Sequence, residues 1–248
     1  MPKAGVVIIL FLFGFNSDNL NGIEILKKSE SLYQIGDVVG EVQVELIRPS
    51  WNKTYSIKIW TKGDDHALAY VLSPEKDKGT VILKTADEVF NFIPRINKIV
   101  KMPMSLMSQK WMGSDMTMDD LLRGTNMSQD YHVQLNGNEI INRRNCHALI
   151  LNPKENAQVL WGRIELWVDK TTFNQMKMVF YDEDMEEVHR IIGGQIEKMG
   201  GKWVVSSYEM IPAVKKNQKT LFTYKSLDFS QNLPLDMFSK ENMKQLRP

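Results

Sequence analysis

The chain has 248 residues, and its 31 Lys and Arg side chains nearly balance its 30 Asp and Glu side chains, which leaves a formal net charge of +1. This balance argues against a receptor for nucleic acid or another polyanion, since such proteins need a basic surplus. The 43% hydrophobic and 25% charged residues are typical of a folded protein, and the single cysteine excludes an internal disulfide and a cysteine-based metal cage.

The N-terminus combines a basic residue, a short apolar run and a polar break. Lys3 precedes the apolar run from Ala4 to Phe15, and polar residues follow from Asn16. A helix of this length spans about 18 Å, which is too short for a hydrocarbon core of about 30 Å. The pattern predicts a secretory signal peptide over residues 1–17, with a buried N-terminal strand as the alternative.

The next segment, Asp18–Gln34, has helical periodicity. Its apolar side chains fall on one half of a helical wheel, which is typical of a helix packed against a core. Asp18 or Ser17 can cap its start, and Gly36 supplies a stop.

From Glu41 onward the apolar period changes to two, as Val42, Val44 and Leu46 alternate with polar residues. Turn sequences such as Ser73-Pro74, Asn136-Gly137-Asn138 and Gly200-Gly201 separate the strand-like runs. The predicted strands are Glu41–Leu46, Tyr55–Ile59, His66–Leu72, Gly79–Thr85, Glu88–Ile93, Tyr131–Leu135, Asn145–Leu151, Gly162–Val168, Gln175–Tyr181, Val188–Ile192, Lys202–Tyr208 and Lys219–Phe229.

Many short strands with tight turns, and no long crossover helices, predict one antiparallel sheet that is strongly curved or partly closed. The predicted fold class is therefore mainly β with a few helices (α+β). The segment Met102–Met127 lacks alternation, and Pro234–Leu246 has the pattern of a short helix. No shift in composition marks a second domain, so residues 18–248 are predicted to form a single domain.

The sequence contains no group of residues with the spacing of a known catalytic or metal site. Ser114 does not lie in a G-x-S-x-G elbow, and the acidic run Asp182–Glu187 is better explained as a solvated hairpin loop than as a calcium site. Single hydrogen-bonded histidines are favoured over a metal site assembled from distant strands. These histidines are His66, His132, His147 and His189. We therefore predict neither an enzyme, nor a cofactor, nor a bound metal.

The segment Met102–Met127 is rich in methionine even for a chain with 15 methionines. Methionine is flexible and polarizable, so a surface of such residues can repack around ligands of varied shape. Thr117 and Asp120 have the spacing of a capping box, which predicts a short lid helix. A soft apolar wall and an ordinary core are equally compatible with these residues.

Four stretches of the chain resemble the outer membrane lipoprotein-sorting protein family, the broad relatives of the LolA and LolB carriers. They are Ile59–Asp65 leading into Val71–Pro74, Lys76–Thr80, Phe92–Ile99 and Trp111–Met116. The resemblance spans about Asp18 to Leu246, and its more specific parts are the serine-proline turn and the Trp-Met-Gly-Ser-Asp stretch. It implies an unclosed antiparallel β-barrel, with helices packed in or over its concave face around an apolar cavity for acyl chains.

The resemblance further implies a non-catalytic carrier in the periplasm of a Gram-negative bacterium, which moves the acyl chains of a lipoprotein or lipid toward the outer membrane. The alternative function is an accessory interaction module for a membrane-embedded lipid exporter. We expect acyl chains as the ligand, no nucleic acid, and a monomer. The residues predicted to line the cavity are Val44, Leu46, Ile57, Ile59, Tyr70, Phe90, Phe92, Met104, Met107, Trp111, Met116, Met118, Leu122, Leu166 and Met178.

Overall fold

The chain folds mainly into antiparallel strands. The structure is a computed structural model that describes residues 20–32, 36–63, 65–86, 88–103, 106, 109–116, 127–157 and 159–246. The strands are β1 (Asp37–Ile47), β2 (Asn52–Lys62), β3 (His66–Ser73), β4 (Val81–Thr85), β5 (Glu88–Ile93), β6 (Lys98–Met102), β7 (Tyr131–Ile141), β8 (Arg144–Pro153), β9 (Arg163–Asp169), β10 (Gln175–Tyr181), β11 (Glu187–Gly193), β12 (Ile196–Met199), β13 (Lys202–Val205), β14 (Ser207–Pro212) and β15 (Lys219–Asp228).

Among the residues that the structure describes, helices are few and short. The α-helices are α1 (Gly22–Ser31), α2 (Met127–Asp130) and α3 (Lys240–Gln245), and 3₁₀ turns span Pro94–Ile96, Trp111–Gly113 and Leu235–Phe238. Within the described ranges, none of the helices has the length and apolar character needed to cross a membrane.

One 13-stranded sheet organises the molecule, in the strand order β6-β5-β4-β3-β2-β1-β15-β14-β11-β10-β9-β8-β7. Strands β12 and β13 pair separately as a hairpin. Since β6 and β7 are the two edges of the large sheet, the sheet is not closed into a barrel. The predicted fold class, a mainly β fold built on an unclosed antiparallel sheet, is confirmed.

The strand register defines the two faces of this sheet, because directly paired residues point to the same side. One transverse row crosses eight strands from β1 to β7 on a single face. Its members are Leu46, Thr220, Met210, Ile191, Met178, Leu166, Leu149 and Leu135. We call this side the α1 face, because Ile25 and Leu26 of α1 pack on it. The other side is called the opposite face.

The α1 face carries two apolar clusters. The first joins α1 and α2 to strands β7–β10 and includes Leu166, and the second joins β1, β2 and β3 to Trp111. Helix α1 starts at Asn21, whose side chain and that of Glu24 cap each other's backbone N–H groups at 3.0 and 2.9 Å. The prediction of Ser17 or Asp18 as the cap is therefore wrong, because only Asn21 has a glutamate at the correct spacing for a capping box.

The opposite face is covered by other parts of the chain. The segment Leu233–Leu246, here called the C-terminal tail, buries Phe238 and Met243 against β3, β4 and β5. Its predicted helix is present as a 3₁₀ turn and α3, separated by the extended backbone of Ser239. The β12–β13 hairpin places Val205 against Trp167 and the neighbouring residues of β8–β10.

Two predicted boundaries differ from the structure. Strand β7 continues through Asn136-Gly137-Asn138 with a bulge between Leu135 and Asn138, and the chain turns at Asn142 and Arg143, which have φ of 47° and 65°. Glycine at φ 93° absorbs the bulge, and two left-handed residues suit a two-residue hairpin turn. The predicted strand Lys202–Tyr208 is divided at Ser206 between the β12–β13 hairpin and the large sheet.

Two strands were missed by the alternation pattern, namely β6 and β12. Both strands are short and have no buried side chain, so their sequences show no clear alternation of apolar and polar residues. The predicted signal peptide over residues 1–17 and the predicted lid helix from Thr117 lie outside the described residues.

Candidate functional site

The candidate site is a band of partly accessible apolar side chains in the middle of the α1 face. It lies between the two fully packed clusters and crosses β10, β11, β15 and β2. We call it the central strip, and its members are Met178, Ile191, Phe222, Tyr224 and Ile59. Apolar side chains that remain accessible on an otherwise buried face are available to contact a hydrophobic ligand.

Tyr224 lies deep in the central strip. Burial raises the pKa of its hydroxyl group, yet the side chain keeps accessible surface. Tyr224 is therefore a largely enclosed member of the central strip that keeps some accessible surface.

The loop Lys110–Met116 lies over this face and contains the Trp-Met-Gly-Ser-Asp stretch. It is closed by the backbone N–H of Trp111, which donates to the carbonyl of Met116 at 2.9 Å, and by the N–H of Ser114, which donates to the carbonyl of Trp111 at 2.7 Å. The Trp111 ring is 6% exposed and packs against Tyr55, with ring centroids 5.9 Å apart. The loop thus covers the end of the second cluster.

A buried ion pair fixes this loop to the sheet. Asp115 accepts hydrogen bonds from Thr220 at 2.8 Å and Gln218 at 2.9 Å, and its carboxylate lies 3.1 Å from the Arg48 guanidinium. Arg48 also donates to the carbonyl of Gly113 at 2.7 Å. The side chains of Arg48 and Asp115 are only 8% and 1% exposed, so water screens this pair weakly.

His189 lies on the α1 face at the side of the central strip. Its ring stacks on Phe180 at 4.5 Å between centroids and meets Trp161 edge-on at 5.0 Å. Burial lowers the pKa of His189 to about 4; the charge of Lys110 adds to this effect, and the carboxylates of Asp115 and Glu187 oppose it. The imidazole is therefore neutral at physiological pH.

The structure brings together part of the predicted lining set. Val44, Leu46, Ile57, Leu166 and Trp111 are buried in the two clusters of the α1 face, while Ile59 and Met178 belong to the central strip. Met116 is half-buried and closes the Lys110–Met116 loop through its carbonyl.

Three predicted lining residues lie on the opposite face. These residues, Tyr70, Phe90 and Phe92, pack with the C-terminal tail. The strand register places them on the same side as Trp60, Leu68 and Leu83, which is the side away from α1. For these three the prediction is wrong, since they cannot share a cavity with Leu166. Met104, Met107, Met118 and Leu122 lie outside the described residues.

Sequence reasoning missed Ile191, Phe222, Tyr224 and His189. The alternation of Phe222 and Tyr224 along the predicted strand Lys219–Phe229 is a signal that could have identified both residues. Ile191 and His189 similarly alternate on β11, but only the cross-strand register shows which side of the sheet they face.

The other candidates for chemistry have structural contacts. The Ser114 hydroxyl is fully buried and donates to the carbonyl of Met116 at 3.3 Å. The Asp182 carboxylate accepts from the backbone N–H groups of Asp184 and Glu186, as expected for a hairpin loop. Over the part of the chain that the structure describes, no three metal-ligating side chains lie close enough together to hold an ion.

Solved structures with the same fold cover 90% of this chain. A DUF1329 family protein from Desulfovibrio piger superposes with a TM-score of 0.82 at 20% identity and 97% coverage of its own length. A domain assigned to the outer membrane lipoprotein-sorting proteins in Vibrio parahaemolyticus gives 0.79 at 19% identity and 98% coverage. A LolA superfamily protein from Nitrosomonas europaea gives 0.75 at 20% identity and 99% coverage. The chain therefore has the fold of LolA superfamily proteins.

A protein-family model described as "Uncharacterized protein" matches residues 63–245, and the chain belongs to that family. No curated protein matches the chain. The fold implied by the resemblance to the outer membrane lipoprotein-sorting proteins is confirmed by these solved structures, and the four stretches of sequence stay a prediction.

Proposed function

We propose that this protein is a non-enzymatic, exported carrier that holds the acyl chains of a lipoprotein or lipid over the α1 face and moves them through the periplasm toward the outer membrane. The observation that carries the proposal is the central strip, where apolar side chains stay accessible between two closed clusters. The name of the Vibrio parahaemolyticus domain and the LolA-type fold support the same function.

The energetics of hydrocarbon burial suit this role. Each methylene removed from water contributes about 0.8 kcal/mol, so a chain of about 16 carbons gains on the order of 12 kcal/mol before binding costs. A carrier must also release its ligand, which favours adaptable side chains such as Met178 over a closely fitted wall. No bond has to be broken in such a cycle.

The proposed ligand and compartment define the partners. A periplasmic carrier receives its cargo from one membrane and delivers it to another, so a membrane-embedded exporter is the proposed donor. The carrier itself is proposed to act as a monomer.

The test is lipid binding by the full chain, expressed with its N-terminal segment and purified from an exported fraction. Lipid extraction and mass spectrometry are expected to find acyl lipid that copurifies with the protein, and a pyrene-labelled fatty-acid methyl ester is expected to bind with increased fluorescence. A protein that carries no lipid and does not take up the ester would contradict the proposal.

A space-filling variant locates the binding site. Ile191→Trp places an indole in the central strip and is expected to weaken binding of the ester about tenfold or more, because displacing two methylenes already costs that much. Ile192→Trp is the matched control: Ile192 lies on the same strand, and its pairing with Lys177 places its side chain on the opposite face. Equal effects of the two changes would place the ligand elsewhere.

A further inference from the structure

The α1 face carries buried polar atoms that lack hydrogen-bond partners. Within the described part of the chain, the buried side-chain atoms without a partner are Ser29 Oγ, Asn91 Oδ1, Trp111 Nε1 and His189 Nε2. Ser29 lies on the buried side of α1, Trp111 in the loop over the sheet, and Asn91 and His189 on the α1 face itself. All four therefore belong to the same side of the molecule.

On the opposite face, the buried Trp167 has a hydrogen-bond partner for its indole N–H. Trp167 is buried to nearly the same extent as Trp111, and its indole N–H donates to the Glu139 carboxylate at 2.6 Å. Buried polar groups in folded proteins almost always have such a partner. The Trp111 indole N–H differs from that of Trp167 in having no partner in the described part of the chain.

The chemistry of the indole nitrogen defines the partner that it lacks. An indole N–H can only donate, so Trp111 requires an acceptor. The nearest charges are already engaged: the Asp115 carboxylate is paired with Arg48 at 3.1 Å and lies 3.6 Å from the Lys110 ammonium. Arg48, Lys110 and Asp115 together carry a net charge of +1, so charge alone does not select the acceptor. In the proposed cargo, the oxygen acceptor at the head of the acyl chain is an ester or amide carbonyl.

We propose that Trp111 donates a hydrogen bond from its indole N–H to the ester or amide carbonyl at the head of a bound acyl chain. This inference rests on the proposed function and makes it narrower: the protein distinguishes acyl esters and amides from plain hydrocarbons. Trp111 is thus a specificity-determining residue of the carrier.

The experiment compares two neutral probes on the same protein, a pyrene-labelled fatty-acid methyl ester and a pyrene-labelled alkane of matched length. Trp111→Phe keeps an aromatic ring and removes the N–H, so it is expected to weaken binding of the ester roughly threefold to tenfold, with alkane binding unchanged. Trp167→Phe is the matched control on the opposite face and is expected to change neither.

Infrared spectroscopy tests the hydrogen bond without depending on a variant. An ester labelled at its carbonyl carbon should show a lowered carbonyl stretching frequency when bound to the unaltered protein, and the frequency should rise in Trp111→Phe. A free-carbonyl frequency in the unaltered protein, or equal losses for ester and alkane, would overturn this inference and leave the carrier function intact. Failure of the unaltered protein to bind either probe would overturn both.

Discussion

Asp115 is the residue on which the position of the Lys110–Met116 loop most depends. Its carboxylate contacts Arg48 from the end of β1 and Thr220 from β15, so one side chain joins the loop to two adjacent strands. Burying the Arg48 and Asp115 charges costs desolvation free energy, which their mutual attraction and the additional hydrogen bonds offset. Loss of one partner leaves the other charge buried without compensation.

Asp115→Asn is therefore expected to lower the free energy of unfolding by about 2–4 kcal/mol, because the buried Arg48 loses its counter-ion. Urea unfolding followed by circular dichroism measures the change. Glu75→Gln is the control, since it removes a carboxylate from the exposed Glu75–Lys78 pair and should leave the midpoint unchanged. Equal stability of Asp115→Asn and the unaltered protein would show that the pair contributes little to the loop.

His189 makes stability depend on pH. Burial holds its pKa at about 4 in the folded protein, against about 6.5 in an unfolded chain. Between these values the unfolded chain binds more protons at this site, so stability is full above about pH 6.5 and falls by up to about 3 kcal/mol as the pH drops to 4. His189→Phe removes this contribution, and its free energy of unfolding should fall less over the same range. Parallel pH profiles for the two proteins would contradict the assignment.

The C-terminal tail contributes to the stability of the fold and lies outside the proposed binding site. Phe238 and Met243 pack on the opposite face with Leu68 and Leu83 of β3 and β4. Because this face is separated from the α1 face by the thickness of the sheet, stability and ligand binding should respond to different substitutions.

Met243→Ala is expected to lower the free energy of unfolding by about 2–4 kcal/mol, since Met243 is 1% exposed and its removal leaves a cavity. Binding of the methyl ester should stay unchanged at temperatures where the variant is folded. Leu235→Ala changes an exposed residue of the same tail and is expected to alter stability by less than about 0.5 kcal/mol. A loss of ester binding in Met243→Ala would connect the tail to the site.

At the scale of the whole molecule, alternation along the chain predicted most strands and the antiparallel sheet. Alternation did not show which set of alternating side chains faces α1. Val44 and Phe90 are both buried, and only the pairing between strands shows that they lie on different faces of the sheet. This is why Tyr70, Phe90 and Phe92 were placed with Leu166. His189 and Trp111 carry no local signal of an unmade hydrogen bond, since that property depends on residues far apart in sequence.

The separation of strands β6 and β7 has a mechanical consequence. A closed ring of hydrogen-bonded strands has a fixed circumference, whereas a sheet with two free margins can widen or narrow by small changes in twist at every strand pair. For the proposed carrier, we therefore expect guests of different bulk to be accommodated, and later released, through such changes in twist without unfolding of the sheet.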